Sequence, residues 1–352
     1  MLSTIFIYIK NLQEKHTQKN FIPEQFKSLY HSLRKHNITP YFLLPSNVTT
    51  FSYPKVDFDL HIMDCTSILH FFSNTFKNLK IKKEHILIVS DCKEILSLGK
   101  TMNVPCIGYM SDREFLPVSH CFESFENLSY SYFVNIWKRF YHFPITISNT
   151  KNLKIREFTA EDIPAVFSLH QDVHNTRYLF QQENDYTNFY EKYYAYIKEV
   201  YPFYDYGLWA VVHKETGKLI GEFGLQSNVI DNQEEIELGY LLHPSFQGKG
   251  LATEAIRSIF RYAKAKLGFQ RIVAIIHPNN TPSLQTALRC GMHLERKIFF
   301  HGKDACLYAI DLKTDTFFPK QIKANQIGKK VYNLYQAKTD TSVYGKRYKQ
   351  TK

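Results

Sequence analysis

The stretch that decides the reading runs from Ile236 to Ile256, IELGYLLHPSFQGKGLATEAI. Its first part, within EEIELGYLLHP, reads as a strand ending at Pro244. Gln247-Gly248-Lys249-Gly250-Leu251-Ala252 then leads directly into an amphipathic helix. That helix, GLATEAIRSIFRYAKAKLG, carries Leu251, Ala255, Ile256, Ile259, Phe260, Ala263 and Leu267 on one stripe, with Gly268 as its stop. Gly250 and the small Ala252 permit close approach to the backbone. The first-turn N–H groups of a helix have no intrahelical partner, and with the helix dipole they make an anion site suited to a pyrophosphate. Lys249 adds a positive charge. The string is neither GxxxxGK[ST] nor GxGxxG, so a P-loop and a dinucleotide-binding fingerprint are both excluded. Taken alone, it also fits a strand-to-helix turn that binds nothing.

Working outward, a unit opens near Lys151. LKIREF is a strand, and Thr159 followed by Asp162 fits a capping box for AEDIPAVFSLH. Residues 178–206 hold nine of the chain's 24 tyrosines. Among them, Tyr186, Tyr190, Tyr193, Tyr194 and Tyr196 either line a pocket or pack their helix onto the sheet. LWAVVHKETGKLIGEFGLQ is a hairpin turning at Glu215–Gly217. RIVAII, a helix from Thr281 to Arg289 closed by Gly291, and strands at 292–300 and 304–312 complete a mixed α/β domain.

Toward the N-terminus the pattern changes. TIFIYI (4–9), YFLL (41–44), LHIM (60–63), HILIVS (85–90) and CIGY (106–109) are short strand-like runs. Helical segments lie between them, FIPEQFKSLYHSLRKH and CKEILSLGKTM. Strands alternating with helices predict a Rossmann-like parallel α/β domain over 1–148, ahead of a mixed-sheet α/β domain over 151–315.

Composition narrows the function classes. The 352 residues are 44% hydrophobic and 22% charged, which excludes collagen-like and wholly disordered chains. No run approaches the roughly 18 apolar residues of a membrane span, and the N-terminal run reads as a first strand rather than a signal peptide. The net charge of +11 is concentrated: nine Lys/Arg and one acid lie between Thr316 and Lys352. Residues 316–352 therefore form a basic tail, and any contact with nucleic acid is expected through that tail alone. The six cysteines are scattered singly without a CxxC, which predicts a reduced cytoplasmic protein with no metal.

QGKGLA matches the Q/R-x-x-G-x-G/A motif of the GNAT superfamily of N-acetyltransferases. ELGYLLHPSFQGKGLATEAI and the downstream HPNNTPSLQTALRCGM resemble its ribosomal-protein N-acetyltransferase branch, over about Leu153 to Leu312. The resemblance implies a GNAT-type mixed sheet and acetyl-CoA as cosubstrate. It implies that the strand ending at Leu241–Leu242 splays from 271–276 to admit the pantetheine arm. It further implies that Gln247, Gly248, Lys249, Gly250, Leu251, Ala252 and Thr253 hold the pyrophosphate, and that Asn280 and Ser283 contact the pantetheine end. Asn280 alternatively only caps its helix.

Glu237 takes the place where this family often carries a base, and Glu235 shares its face by strand alternation. Either takes the amine proton, or both are ordinary solvated or paired strand carboxylates. Many relatives carry a Tyr seven residues after the helix-starting Asn as the acid for the leaving thiolate. Here that residue is Ala287, which leaves Ser283 or water as the source of that proton. Cys290 reads as a core residue.

Residues 86–111 resemble the late strand–acid–helix–strand segment of haloacid-dehalogenase-like hydrolases, with Asp91 in the place of their metal-binding acid and LLPSN (43–47) loosely resembling their Ser/Thr strand end. The nucleophilic Asp pair of those enzymes is missing from IYIKN (7–11), and Asp57-Phe58-Asp59 precedes a strand instead of following one. A degenerate domain without phosphoryl chemistry is expected. The reading is an acetyl-CoA-dependent N-acetyltransferase acting on a small-molecule amine or a protein or peptide amine. The alternative is a non-catalytic module that binds acyl-CoA or a partner.

Overall fold

TIFIY and ILIVS are buried along their whole length, as strands enclosed between two helical layers must be. The computed structural model describes residues 1–9, 24–43, 80–110, 115–126, 128–180 and 183–313. The strand expected at 60–63, Asp57–Asp59, most of 43–47 and the tail 316–352 lie outside these.

Two units divide between Ile145 and Thr146. In the first, β1 (Thr4–Tyr8), β2 (Thr39–Leu43), β3 (Ile86–Ser90), β4 (Cys106–Tyr109) and β5 (Cys121–Phe122) form a sheet in the order β2-β1-β3-β4-β5, parallel throughout. Alternation sends Ile5, Ile7, Leu87 and Val89 to one side. There they meet Phe26, Leu29 and Leu33 of α1 (Glu24–Lys35). Phe6, Tyr8, Ile86 and Ile88 go to the other side, against Ile95 of α2 (Lys93–Thr101). This is the parallel α/β architecture expected. A helix the sequence reading did not identify, α3 (Tyr130–Phe140), joins α1's side through Phe133, Ile136 and Trp137. The Trp137 indole N–H donates to the Glu84 carbonyl at 2.9 Å.

The second unit holds an eight-stranded mixed sheet. Its strands are β6 (Thr146–Asn149), β7 (Leu153–Arg156), β8 (Leu208–His213), β9 (Leu219–Ile230), β10 (Gln233–Leu242), β11 (Arg271–Ile276), β12 (His293–Phe300) and β13 (Lys303–Asp311). The order is β12-β13-β11-β10-β9-β8-β7-β6, antiparallel except for the central pair β10/β11. The β9–β10 hairpin turns on Asp231 and Asn232, both at positive φ (50° and 64°). That is the two-residue turn whose twist matches paired strands.

Helices attach by local chemistry. Thr159 and Asp162 form the capping box that starts the segment leading into α4 (Ile163–Gln171), and Arg156 grips the same carboxylate with two nitrogens at 2.6 and 2.8 Å. Asp185 caps α5 (Tyr186–Tyr204). The motif helix α6 (Leu251–Tyr262) and α7 (Thr281–Arg289) follow β10 and β11 respectively. Near the N-terminus of α6, the Glu254 carboxylate accepts from the Asn152 amide N–H at 2.8 Å and from its side-chain nitrogen at 2.7 Å.

Burial raises the Glu254 carboxyl, but hydrogen bonds from Thr150 and Asn152 outweigh it and leave the group below its ordinary value of 4.5. A depressed folded-state value adds stability above the unfolded value, and that contribution is lost as pH falls through the folded one. Asn152→Ala should therefore cost about 1 kcal/mol at neutral pH for a largely exposed charged hydrogen bond. That is about 2–4 °C in Tm for a unit of this size. Thermal unfolding followed by circular dichroism should show the gap from wild type closing in acid below the ordinary carboxylate range.

Candidate active site

Two glycines at positive φ shape the turn between β10 and α6, Gly248 at 73° and Gly250 at 75°. An L side chain would be strained at either. A Cβ built at either meets nothing within 4 Å, so the space beside the turn is open. The α6 ladder begins with the Glu254 amide on the Gly250 carbonyl at 3.0 Å. The amides of Leu251, Ala252 and Thr253 consequently have no preceding turn to bond. Open space beside these donors is what a diphosphate needs. Gln247, grouped with the ligand-contacting residues by its motif position, is engaged inward instead. Its side-chain nitrogen donates to the Leu242 carbonyl (2.9 Å) and to Oδ1 of the buried Asn175 (3.3 Å). The Lys249 ammonium lies 5.3 Å from the centre of the Phe246 ring.

Behind this turn the sheet opens. β10 stays in register with β9 to its last residue, Leu242 opposite Gly221, but pairs with β11 only at Glu237 and Val273. From Glu237 toward the turn, β10 has no ladder partner on its β11 side among the described residues.

Alternation assigns side chains to the two faces of this opening. Trp209, Phe223 and Tyr240 lie opposite one another across β8, β9 and β10. Their face meets α6 and α7, through Trp209 against Tyr262 and Tyr240 against Ser283. Ala210, Glu222 and Leu241 form the next row on the other face, where Glu222 meets His170 of α4 and Tyr193 of α5. Glu235, Glu237 and Asn228 share that second face.

The two strand carboxylates differ in environment. Both oxygens of Glu235 lie 3.1 Å from Arg271 Nε, and the same guanidinium reaches Glu295 at 2.7 Å. Glu235 is thus held in a structural ion pair. Among the described residues Glu237 makes no such ion pair; it accepts a hydrogen bond from the Asn228 side-chain nitrogen at 2.8 Å. Burial pushes its carboxyl up, against the smaller lowering effect of Asn228.

On the other face, Ser283 Oγ donates to the Tyr240 hydroxyl at 2.6 Å, and that hydroxyl donates to the Ser283 carbonyl at 2.9 Å. Asn280 caps α7, its Oδ1 accepting from the Ser283 amide at 3.3 Å. The side-chain nitrogen of Asn280 is not used in that cap. Ala287 is fully buried, and burial pushes the Cys290 thiol up to about 11, as befits a core thiol.

The sequence reading missed Tyr240, Glu222 and His170. Glu222 is 5% exposed and accepts from Tyr193 Oη at 2.6 Å, with His170 Nε2 at 3.0 Å. The signal was present: LIGEFGL sets one carboxylate among apolar residues. Of the tyrosines, Tyr193 and Tyr196 turn inward, Tyr196 accepting from the Leu208 amide at 2.6 Å. Tyr186, Tyr190 and Tyr194 are exposed.

Comparison with known proteins bears on one part of the chain. The model of the acetyltransferase (GNAT) domain matches residues 152–293. These residues are a GNAT acetyltransferase domain. Protein YkkB of Bacillus subtilis (strain 168) is 32% identical over 105 residues, 30% of this chain and 61% of YkkB. The chain thus spans about three fifths of that relative's length. N-acetyltransferase YnaD of the same organism is 29% identical over 149 residues, 42% of this chain and 82% of YnaD. A GNAT-family acetyltransferase structure from Bacillus anthracis is 22% identical, with a TM-score of 0.41, covering 47% of this chain and 98% of that one. Among the described residues of the GNAT domain and the rest of the chain, no helix is long and apolar enough to cross a membrane.

Within the GNAT domain, Tyr193→Phe should leave the buried Glu222 carboxylate short of a charge-assisted hydrogen bond at about 1.5–3 kcal/mol. Urea denaturation of the variant should show a lower midpoint at an unchanged slope.

Proposed function

We propose that this chain transfers an acetyl group from acetyl-CoA to a primary amine, which attacks the thioester directly. The observation that carries the reading is the combination of an open, two-glycine helix start with a central strand pair that parts immediately behind it. Acetyl-CoA, when bound, supplies the carbonyl carbon that the amine attacks and the thiol that leaves. Amides of Gly248 to Thr253 would hold its diphosphate, with the Lys249 charge nearby. The β11-side edge of β10 at Leu241 and Leu242, where the Leu242 carbonyl already accepts from Gln247, would bond the pantetheine amides through its remaining groups, and the Asn280 side-chain nitrogen would donate to the same arm. Gln247 serves the site by buttressing the turn.

An alkylammonium has a pKa near 10, so only about one molecule in a thousand is free amine at neutral pH. A base is needed, and Glu237 fits that role better than Glu235. It lies where β10 parts from β11, and its raised carboxyl is a better proton acceptor than an ordinary one. Glu235 is committed to Arg271. The acceptor is a small-molecule amine or a protein or peptide amine entering on the α4/α5 side. The scattered single thiols support a reducing, cytoplasmic setting. For residues 1–148 we propose a binding, docking or dimerising role without phosphoryl chemistry, because IYIKN offers no carboxylate after the first strand.

Acetyl-CoA turnover against a broad amine panel, read as thiol release, tests the activity; acyl-CoA binding without turnover of any amine would favour a non-catalytic module. Gly250→Trp should abolish acetyl-CoA binding in calorimetry while circular dichroism shows the fold retained, and equal affinity would refute the assigned site. Glu237→Gln should lower turnover by about 10²–10⁴ with acetyl-CoA affinity unchanged. Because the unprotonated carboxylate is the active form, wild-type turnover should fall as pH drops through the raised Glu237 value. That acid limb should vanish in the variant.

A further inference from the structure

The acetyl-transfer reading leaves one proton without a source, the one taken by the departing thiol. The α7 residue that many relatives use is Ala287 here, fully buried and without a donor. The stripe of α7 that carries Ala287 also carries Ser283 one turn before it, and Cys290 caps the helix at its far end. The Tyr240 phenol reaches this stripe from the strand side: its oxygen is 2.6 Å from Ser283 Oγ. Tyr240 belongs to β10, while Ser283 belongs to the helix that follows β11. Their hydrogen bond therefore spans the gap that opens where the two strands part. Phe223 stacks on the phenol ring at 5.7 Å and 24°, and the Ser283 carbonyl anchors the hydroxyl, so the ring has little freedom.

Glu237 and Tyr240 are three residues apart on one strand. They project from opposite faces, about 10 Å apart along it. An amine deprotonated by Glu237 approaches from the α4/α5 face, and a thiol leaving toward Ser283 departs on the α6/α7 face. Taking Ser283 as the acid for the leaving sulfur, as the family resemblance already suggests, we infer that Tyr240, hydrogen-bonded behind it, replaces the proton Ser283 gives up. This rests on the acetyl-transfer reading.

The step balances. The amine nitrogen forms the new C–N bond and its proton goes to Glu237. The C–S bond breaks with its electron pair on sulfur, which takes the Ser283 hydroxyl proton. The serine oxygen takes the Tyr240 proton, and solvent restores Tyr240. Only two hydroxyl rotations are required, that of Ser283 from Tyr240 to the sulfur and that of Tyr240 from the Ser283 carbonyl to Oγ. Hydroxyl hydrogens are free to turn in this way. Burial raises the phenol above its ordinary value, which keeps Tyr240 protonated between turnovers and requires its proton to move in concert with the Ser283 transfer and with resupply from solvent.

The full-length chain with Tyr240→Phe, Ser283→Ala and both changes together tests the inference by two measurements. The first is calorimetric affinity for coenzyme A against desulfo-coenzyme A at about pH 9, where part of the thiol is ionised. Wild type should prefer the sulfur-bearing compound, and each variant should lose that preference several-fold while binding the desulfo compound as tightly as wild type. The second is turnover with acetyl-CoA. Each single variant should lose kcat by about 10–100-fold, at or below the lower end of general-acid effects, with acetyl-CoA affinity unchanged. The double variant should be no slower than the worse single one, as members of one relay are not additive. An unchanged preference for the sulfur, or a kcat within twofold of wild type in Tyr240→Phe, overturns the relay. A wild type that binds neither compound overturns the acetyl-transfer reading and the relay with it.

Discussion

A sheet normally keeps its backbone groups paired, and each buried amide or carbonyl left without a partner costs about 1–3 kcal/mol. The second unit breaks this rule at its centre, where β10 and β11 share only the pair Glu237–Val273. The rest of the unit compensates for that break. β9 holds β10 from the other side through to Leu242. Gln247 ties the Leu242 carbonyl, and the Tyr240–Ser283 hydrogen bonds lash the strand to α7 across the opening. The site is a managed defect in a sheet, with the helix start at Gly250 placed at its mouth.

The buried cluster of His170, Tyr193 and Glu222 serves a different need. α4 and α5 pack on each other largely through rings, as with Phe167 on Tyr186 and on Phe189, and ring packing alone tolerates sliding. A carboxylate that must find both a phenol and an imidazole removes that tolerance. It fixes the two helices against the strand row that ends at Leu241. Tyr201 adds a second fixed point, donating to the Leu208 carbonyl at 2.5 Å.

Much of this was legible in the sequence because it is local. The capping box at Thr159–Asp162, the helix Thr281–Arg289 and the strands at CIGY and RIVAII follow from spacing and from residues whose conformational demands are strong. The glycine turn was readable for the same reason. What escaped depends on distance in space. Nothing near Tyr240 in sequence announces Ser283, 43 residues on. Glu222 looks like any strand carboxylate until His170 and Tyr193 arrive from two helices. Glu235 and Glu237 are indistinguishable by alternation, and only Arg271, reaching from the neighbouring strand, separates them. The helix Tyr130–Phe140 lay outside the sequence reading, although Phe133, Ile136 and Trp137 carry the i, i+3, i+4 spacing of a buried helix face.

The hairpin turn at Asp231–Asn232 has a consequence for how the chain can change length. It is the shortest connection available between β9 and β10, so the count of residues from the turn sets which face every later side chain occupies. One residue inserted between Asn232 and Glu237 would move that carboxylate to the side of α6 and α7 and carry the Tyr240 phenol to the opposite side. Two inserted residues would preserve both faces. Drift in the length of this hairpin is therefore confined to even steps, a parity rule written into the sheet rather than into any single residue.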